Sequence, residues 1–234
     1  MSFDYRDKLS SGRRSMAHLI HVWHERNGWS HKVLPALVDA LNLGKLHNSQ
    51  ISNLRNAKLA SPSPEVFLAL SQANKILDQG VNKIRNELNL NHHDLLRVLE
   101  ESAVPLMDDD DIPLSAGDFF EIFIGIKTLP SKFDWFIEDE EAALLSAALA
   151  DFFCDQKSWR YCKDKVMDAY PISNVARREK FALVMAGLRD YTAEEFDGEL
   201  LDLHKTYITF NNNIDIALGE FLRLLRERAK TQVS

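Results

Sequence analysis

Apolar residues recur every three or four positions along most of this 234-residue chain. No segment alternates apolar and polar residues over the length of a strand between turn residues. Because an α-helix completes a turn every ~3.6 residues, this spacing gathers apolar side chains on one face of each helix. The sequence therefore predicts an all-α protein.

Capping residues and prolines place the ends of the expected helices. Pro64 follows Ser63, a residue type that caps helix N-termini, and Pro171 follows a helix that it could not continue. Thr192 and Glu195 have the spacing of a capping box. The expected helices span residues 14–27, 34–42, 47–57, 64–77, 93–102, 116–128, 133–155, 158–169, 174–189, 193–207 and 214–230.

Charge is distributed unevenly along the chain. Residues 1–100 carry 13 Lys and Arg against 9 Asp and Glu, whereas residues 101–234 carry 15 against 26. Phosphate groups attract the first part and repel the second, which indicates two separate roles. Four consecutive aspartates at 108–111 are expected to form a solvated linker, because like charges repel one another. The predicted domains are residues 1–80, a connector at 81–115, and an acidic helical domain at 116–234.

Residues 119–126 are apolar nearly all round, which requires a helix at this position to be buried on all sides. We interpret the segment as the core of a C-terminal helical bundle, with an oligomer interface as the alternative. Of the 13 phenylalanines in the chain, 11 follow the acidic run. The aromatic content of the chain therefore changes at this run.

Several sequence features limit the cellular compartment in which the protein is expected. No stretch is apolar enough for a membrane span, and the polar first 15 residues lack the apolar core of a signal peptide. Cys154 and Cys162 are too few for a disulfide framework or a zinc site. We therefore expect a cytoplasmic protein without a membrane contact, a bound metal or a cofactor.

The most informative segment is residues 41–58. Ile51 and Leu54 are three positions apart and can face a core, and the opposite face carries Ser49, Ser52, Asn53 and Asn56. Asn and Ser are poor residues for a helix interior, so their use here requires compensation. Base edges in the major groove of DNA present donor and acceptor pairs that Asn and Gln match. The expected phosphate contacts are Lys45, Arg55, Lys58, Arg13 and Arg14.

Residues 48–58, with the sequence NSQISNLRNAK, and the following Pro62 resemble the recognition helix of lambda-repressor-like (XRE-type) helix-turn-helix domains. The resemblance covers about residues 14–78 and does not extend to the C-terminal region. It implies that Asn48, Ser49 and Asn53 read bases, and that His31, Lys32, Asn56 and Lys58 contact phosphates. The sequence departs from the family in having Arg55 for an acidic residue, Ala57 for a glycine, and a turn one residue longer.

These observations predict a sequence-specific protein that binds double-stranded DNA, with an N-terminal helix-turn-helix domain and a C-terminal helical bundle. We expect a transcriptional regulator that acts by occupying an operator and is not an enzyme. A homodimer is expected, held by residues 119–126 and 218–225 of the C-terminal domain. The predicted DNA-binding residues are Asn48, Ser49, Gln50, Ser52, Asn53, Arg55, Asn56, Lys58, Lys45, His31, Lys32, Arg13 and Arg14.

Two other functions stay open at this point. The first is a protein-interaction adaptor whose acidic helical domain binds a basic partner. The second is an enzyme or ligand sensor with a pocket inside the C-terminal bundle. His18, His21 and His24 drift around their helix and are not expected to share a metal. Two roles are also open for Trp159, Arg160 and Tyr161. They could form a surface binding patch, and ordinary packing explains them equally well.

Overall fold

A computed structural model of the chain describes residues 5–88, 92–155, 157–211, 214 and 216–233. These residues form helices joined by loops, without a strand, and one isolated bridge joins Met107 and Pro113. The all-α prediction is confirmed for this part of the chain. The helices are α1 (Tyr5–Asn27), α2 (Val33–Ala40), α3 (Asn48–Arg55), α4 (Pro64–Asp78), α5 (Val81–Glu87), α6 (His93–Glu101), α7 (Ala116–Phe123), α8 (Asp139–Cys154), α9 (Trp159–Ala169), α10 (Val175–Met185), α11 (Ala193–Phe210) and α12 (Leu218–Val233).

Most helices differ from the prediction at one or both ends, and three differences change the predicted organisation. Helix α1 begins at Tyr5, well before residue 14, and α5 lies in the segment predicted to be a connector. Helix α8 begins at Asp139, and residues 131–138 before it form a turn followed by a loop. Phe133, Trp135 and Ile137 are buried there while their neighbours are exposed, and this period of two belongs to extended chain. The predicted start of this helix at residue 133 is therefore wrong.

The chain divides into two compact units, Met1–Asp134 and Trp135–Ser234. The division lies later in the chain than the predicted boundary at 81–115, because α7 belongs to the N-terminal unit. Helix α7 packs against α1 and α4. The ring of Phe119 stacks on Trp23 at a centroid distance of 6.3 Å, and Phe123 contacts Phe67 at 5.5 Å. Residues 119–126 therefore belong to the N-terminal unit and not to the core of the C-terminal bundle, and Phe120 and Ile126 are exposed instead of buried.

Two buried asparagines hold the segment between α6 and α7 in the N-terminal unit. Asn74 donates to the Leu106 carbonyl oxygen and accepts from the Leu106 N–H, each at 2.7 Å. Asn27 does the same with Val104, accepting at 2.6 Å and donating at 3.0 Å. Each side-chain amide thus pairs with a peptide group as a neighbouring strand would, and satisfies buried backbone groups.

The acidic run at 108–111 is an ordered turn and not the expected solvated linker. The Asp108 carboxylate accepts from the backbone N–H groups of Asp110 and Ile112, each at 2.9 Å. Asp109 accepts from the Ser131 N–H at 2.8 Å, and Lys132 lies 2.7 Å from Asp111. Backbone N–H donors and a lysine offset the repulsion among the four carboxylates.

This placement removes most of the charge contrast seen along the sequence. With the acidic turn included, residues 1–134 carry 15 Lys and Arg against 17 Asp and Glu. Residues 135–234 carry 13 against 18. Neither unit has a net positive charge, so attraction to phosphate must come from local clusters of cations.

The C-terminal unit has α8 packed against α10, α11 and α12, and α9 packed against α11. Its core is aromatic, with Phe153, Phe181, Phe196 and Phe221 buried. Leu222 and Leu225 of α12 are buried as well, and α12 packs on α8 of its own unit. Residues 218–225, predicted to contact a second subunit, therefore serve the core of their own unit. None of the described helices is long and apolar enough to cross a membrane.

Candidate nucleic-acid interface

Helix α3 presents one apolar and one polar face, as the spacing of its residues predicts. Ile51 and Leu54 are buried, and the helix packs against α1. Ser49, Ser52 and Asn53 are exposed on the opposite side. The start of the helix is held by Gln50, whose Oε1 accepts from the His47 N–H at 2.8 Å. This contact satisfies one of the backbone donors left unpaired at a helix N-terminus.

The end of α3 depends on an alanine in an unfavourable conformation. Ala57 has a positive φ of 51°, in the left-handed region. The chain then turns back so that the N–H groups of Lys58 and Leu59 donate to the Asn53 carbonyl at 2.8 and 3.2 Å. Glycine is the usual residue at this position of a helix end, because it has no Cβ to clash. Ala57 adopts the required conformation at a cost in strain.

The connection between α2 and α3 is longer than the four residues left between the expected helices at 34–42 and 47–57. Helix α2 ends at Ala40, and α3 begins at Asn48. Asn42 and Gly44 both have positive φ values, of 50° and 135°, so the chain leaves the helical conformation early. Leu46 is buried and anchors the connection. This length exceeds the three or four residues of a typical helix-turn-helix turn.

A cavity of about 400 Å³ lies between α2 and the first turn of α3. Lys32, Lys45 and Asn48 line it, together with His47 and Asp39. The structure therefore brings two predicted phosphate contacts next to a predicted base contact. Sequence analysis did not single out His47, although its position at the start of the helix was the available signal. Asp39 is acidic and lowers the positive charge of this cavity.

Most of the predicted DNA-binding residues are exposed. This group consists of Asn48, Ser49, Ser52, Asn53, Asn56, Lys58, Lys45, His31, Lys32 and Arg14. The Asn56 amide donates to the Ser52 carbonyl at 2.6 Å, so its nitrogen is used within the helix end. Asn48, Ser49 and Asn53 use no side-chain atom in a hydrogen bond with the described residues, which leaves their polar atoms to solvent.

Two predicted phosphate contacts are occupied within the N-terminal unit. Arg55 donates to Nδ1 of His21 at 3.1 Å and lies 3.7 Å from Glu25, so its guanidinium connects α3 to α1. Arg13 donates to the Ala60 carbonyl at 2.9 Å and lies over the ring of Phe123 at 6.0 Å. Both side chains are half-buried. Their positions assign them to holding α3 and its following loop against α1.

The three histidines of α1 have three different partners. His18 is buried and bonds to the Phe133 carbonyl at 3.2 Å, while His24 bonds to the Ile20 carbonyl at 2.7 Å. Burial lowers the pKa of His18 and of His24 to about 4, so both are neutral at pH 7. Among the described residues, no group of three His, Cys, Asp or Glu side chains is placed to hold a metal ion.

The C-terminal unit contains a buried ionic network that sequence analysis missed. Arg177 makes a two-point contact with Glu199, at 2.7 Å for each bond, and a third bond to Asp202 at 2.9 Å. The hydroxyl of Tyr170 donates to Glu199 at 2.6 Å. The pKa of Tyr170 is raised, first by burial and then by the Glu199 charge. Glu199 and Asp202 lie on the apolar side of α11, and this placement was the sequence signal from which the network could have been predicted. Their partner Arg177 lies on another helix.

Together the fold and the polar face of α3 define a two-unit, all-helical protein with a surface helix rich in amides and hydroxyls. The chain belongs to the family described as Domain of unknown function (DUF8644), which matches residues 6–125. A second family, Domain of unknown function (DUF8645), matches residues 142–234. The two matched ranges fall within the two units. Comparison with curated proteins and with solved structures gave no match. Neither family description names a helix-turn-helix domain, so that resemblance stays a prediction.

Proposed function

We propose that the N-terminal unit binds double-stranded DNA through α3, with α2 and α3 acting as a helix-turn-helix, and that the protein is a regulator acting by operator occupancy. The observation that carries the proposal is the exposure of Ser49, Ser52 and Asn53 opposite the buried Ile51 and Leu54. A helix that faces only water would normally carry charged residues at these positions. A surface of short amides and hydroxyls suits a partner that offers hydrogen bonds.

The dimensions and chemistry of α3 fit the major groove. A helix of 8 residues is about 12 Å long, close to the width of the groove. An asparagine amide can pair with the N6 and N7 atoms of adenine, and a serine hydroxyl can bond to several base edges. In this proposal Asn48, Ser49 and Asn53 read bases, and Ser52 and Gln50 border the contact.

Phosphate contacts are assigned to the exposed cations beside α3. Lys45 and Lys58 flank the two ends of the helix, and Lys32 lines the same cavity as Lys45. Arg14 and His31 extend this set. Arg13 and Arg55 act as positioning residues, because their guanidinium groups contact Ala60 and His21. Such contacts fix the orientation on DNA, and the base contacts give the specificity.

A homodimer remains part of the proposal, since two copies of α3 could then occupy successive half-sites. Most apolar side chains of the segments first expected to form it are buried within their own units, but Phe120 and Ile126 stay exposed. A dimer contact is therefore assigned to exposed apolar side chains, either these two or Val175 and Leu183, two turns apart on α10. Sedimentation velocity of the full chain measures this oligomeric state.

The test is selection of bound fragments from a random duplex library, followed by fluorescence anisotropy with the selected site. Asn53→Ala is expected to weaken specific binding by about 1–3 kcal/mol, or about 5- to 150-fold, with unchanged folding. The matched control is Asn86→Ala, at an exposed asparagine of α5. Equal affinity of both variants and the wild-type chain for the selected duplex would reject the proposal.

A protein-interaction adaptor is the second candidate, and the structure supplies an observation in its favour. The acidic turn at 108–111 belongs to the N-terminal unit, so this unit has no excess of positive charge. Duplex binding predicts a fall in affinity of several orders of magnitude between 50 and 200 mM salt, if six or more phosphates are contacted. Absence of any duplex binding at 50 mM salt would favour the adaptor.

A further inference from the structure

A cluster of cations surrounds the start of α9 in the C-terminal unit. Lys157, Arg160 and Lys163 are exposed, and their side-chain nitrogens form no hydrogen bond or ion pair with any residue that the structure describes. Lys165 lies over the ring of Phe210 at 4.3 Å and has no carboxylate partner among the described residues. Asp164 and Asp168 lie on the same helix, so residues 157–168 keep a net charge of +2.

The other basic side chains of this unit are used differently. Arg177, Lys180 and Arg189 bond to carboxylates within the unit, and Arg178 bonds to backbone carbonyls. Carboxylate partners also lie beside the following cations: Lys205, Arg223, Arg226 and Arg228. The unit has 18 acidic residues for 13 basic ones, so carboxylates are plentiful. The cations at the start of α9, by contrast, form no ion pair with a described carboxylate, which leaves a positive patch on an acidic unit.

An exposed aromatic ring lies among these cations. Tyr161 is 79% exposed, more than any other large apolar side chain in the described part of the chain. The Nζ atom of Lys157 lies 5.9 Å from the centre of its ring. A tyrosine whose ring faces water at this level contributes little to the core. Trp159, by contrast, packs against Phe181 at 6.5 Å, so its role in the fold is ordinary packing.

We propose that this patch, formed by Lys157, Arg160, Tyr161 and Lys163, binds single-stranded nucleic acid. Cations hold the phosphates of the strand, and the Tyr161 ring stacks on an unpaired base. This combination of a positive surface with an exposed ring is how proteins bind single strands without sequence preference. The site is distinct from α3 and does not depend on duplex binding by the N-terminal unit.

Other anionic partners fit the patch less well. A base can stack on a side chain only when it is unpaired, so the exposed ring favours a single strand over a duplex. An acidic peptide would satisfy the cations but would leave Tyr161 without a flat surface to stack on. An anionic membrane would be expected to meet several apolar side chains at its boundary, whereas this patch has one aromatic ring.

The experiment is fluorescence anisotropy of the full chain with fluorescein-labelled oligo-dT and oligo-U of 20 nucleotides. Tyr161→Ala is expected to weaken binding at least about fivefold, while Tyr161→Phe, which keeps the ring, retains it. Neutralising the three exposed cations (Lys157→Gln, Arg160→Gln, Lys163→Gln) is expected to lower the slope of log affinity against log salt by about 2. The dT and U arms distinguish DNA from RNA as the preferred strand.

The matched charge control is Lys205→Gln with Arg223→Gln and Arg228→Gln, which removes three cations that have carboxylate partners. Asn53→Ala separates this site from α3, since it should leave single-strand binding unchanged. The proposal is overturned if the control triple weakens binding as much as the patch triple, or if Tyr161→Ala binds as the wild type does. Equal competition by polyglutamate or by phosphatidylserine vesicles would overturn it as well.

Discussion

Gly12 in α1 and Gly125 after α7 lie in direct backbone contact. A Cβ atom at Gly12 would lie 2.5 Å from the Phe123 carbonyl oxygen and 2.6 Å from that of Ile122. A Cβ atom at Gly125 would meet the backbone of Lys8 in the same way. Because backbone atoms cannot move aside as a flexible side chain does, glycine at both positions allows α1 to pack on the end of α7.

Substitution of Gly12 by alanine is therefore expected to separate the two segments. We expect Gly12→Ala to lower the free energy of unfolding by about 3 kcal/mol, at the upper end of the range for overpacking. Urea unfolding followed by tryptophan fluorescence measures this, since Trp23 lies in the same core. Gly117→Ala is the control, because its Cβ would meet only the Ser115 hydroxyl at 3.6 Å. Equal urea midpoints for both variants would contradict the proposed contact.

Asn74 provides a second test of the N-terminal unit. Asn74→Ala would leave the buried N–H of Leu106 without its partner at 2.7 Å, while the Leu106 carbonyl keeps the Leu114 N–H at 3.0 Å. One unsatisfied buried donor costs about 1–3 kcal/mol, so a loss of this size is expected. Hydrogen exchange of the Leu106 amide should also become faster. If exchange at Leu106 is as slow as in the wild-type chain, the asparagine does not hold this segment.

Contacts between residues far apart in the sequence explain why residues 104–115 were predicted to be a linker. Asn27 and Asn74 lie far along the chain from Val104 and Leu106, which they pair with. The sequence shows the charge repulsion within the run at 108–111. It does not show that Ser131 and Lys132, which offset this repulsion, lie beside the run in the fold. The same limit affected α7, whose apolar surface was recognised while its partners, α1 and α4, were not.

Local patterns were more informative where one helix decides the outcome. The exposure of Ser49 and Asn53 and the burial of Ile51 and Leu54 follow from spacing alone. The positions of the arginine guanidinium groups could not be predicted from residue spacing, because a long side chain can turn toward its own unit or toward solvent. Arg55 was assigned to phosphate from its sequence position, whereas His21 and Glu25 on α1 hold it.

A substitution at the strained end of α3 is expected to raise the stability of the protein, whereas the substitutions above lower it. Ala57→Gly removes the Cβ that opposes a φ of 51°, and this relief of strain stabilises the folded state by about 1 kcal/mol. The larger conformational entropy of glycine in the unfolded chain offsets part of this gain. A modest rise in thermal midpoint is therefore expected. Gly80→Ala is the converse control, because Gly80 has a φ of 89° and alanine should lower the midpoint there. A lower midpoint for Ala57→Gly would contradict the strain argument.

Two buried histidines predict how stability depends on pH. The pKa values of His18 and His24 are about 4 in the folded chain, against about 6.5 when unfolded. Between pH 6.5 and 4 the unfolded chain therefore binds protons that the folded chain does not, and stability falls as the pH is lowered. Each histidine is expected to cost about 2 kcal/mol between pH 7 and pH 5.

The measurement is the urea midpoint across this pH range for the wild-type chain and for His24→Gln. The variant is expected to be less stable at pH 7.5, since the buried ring is lost, but to show a shallower fall toward pH 5. His93→Gln replaces an exposed histidine and should keep the slope of the wild type. A parallel fall in all three proteins would mean that His24 is protonated equally in both states, and that its burial does not set the acid sensitivity of the N-terminal unit.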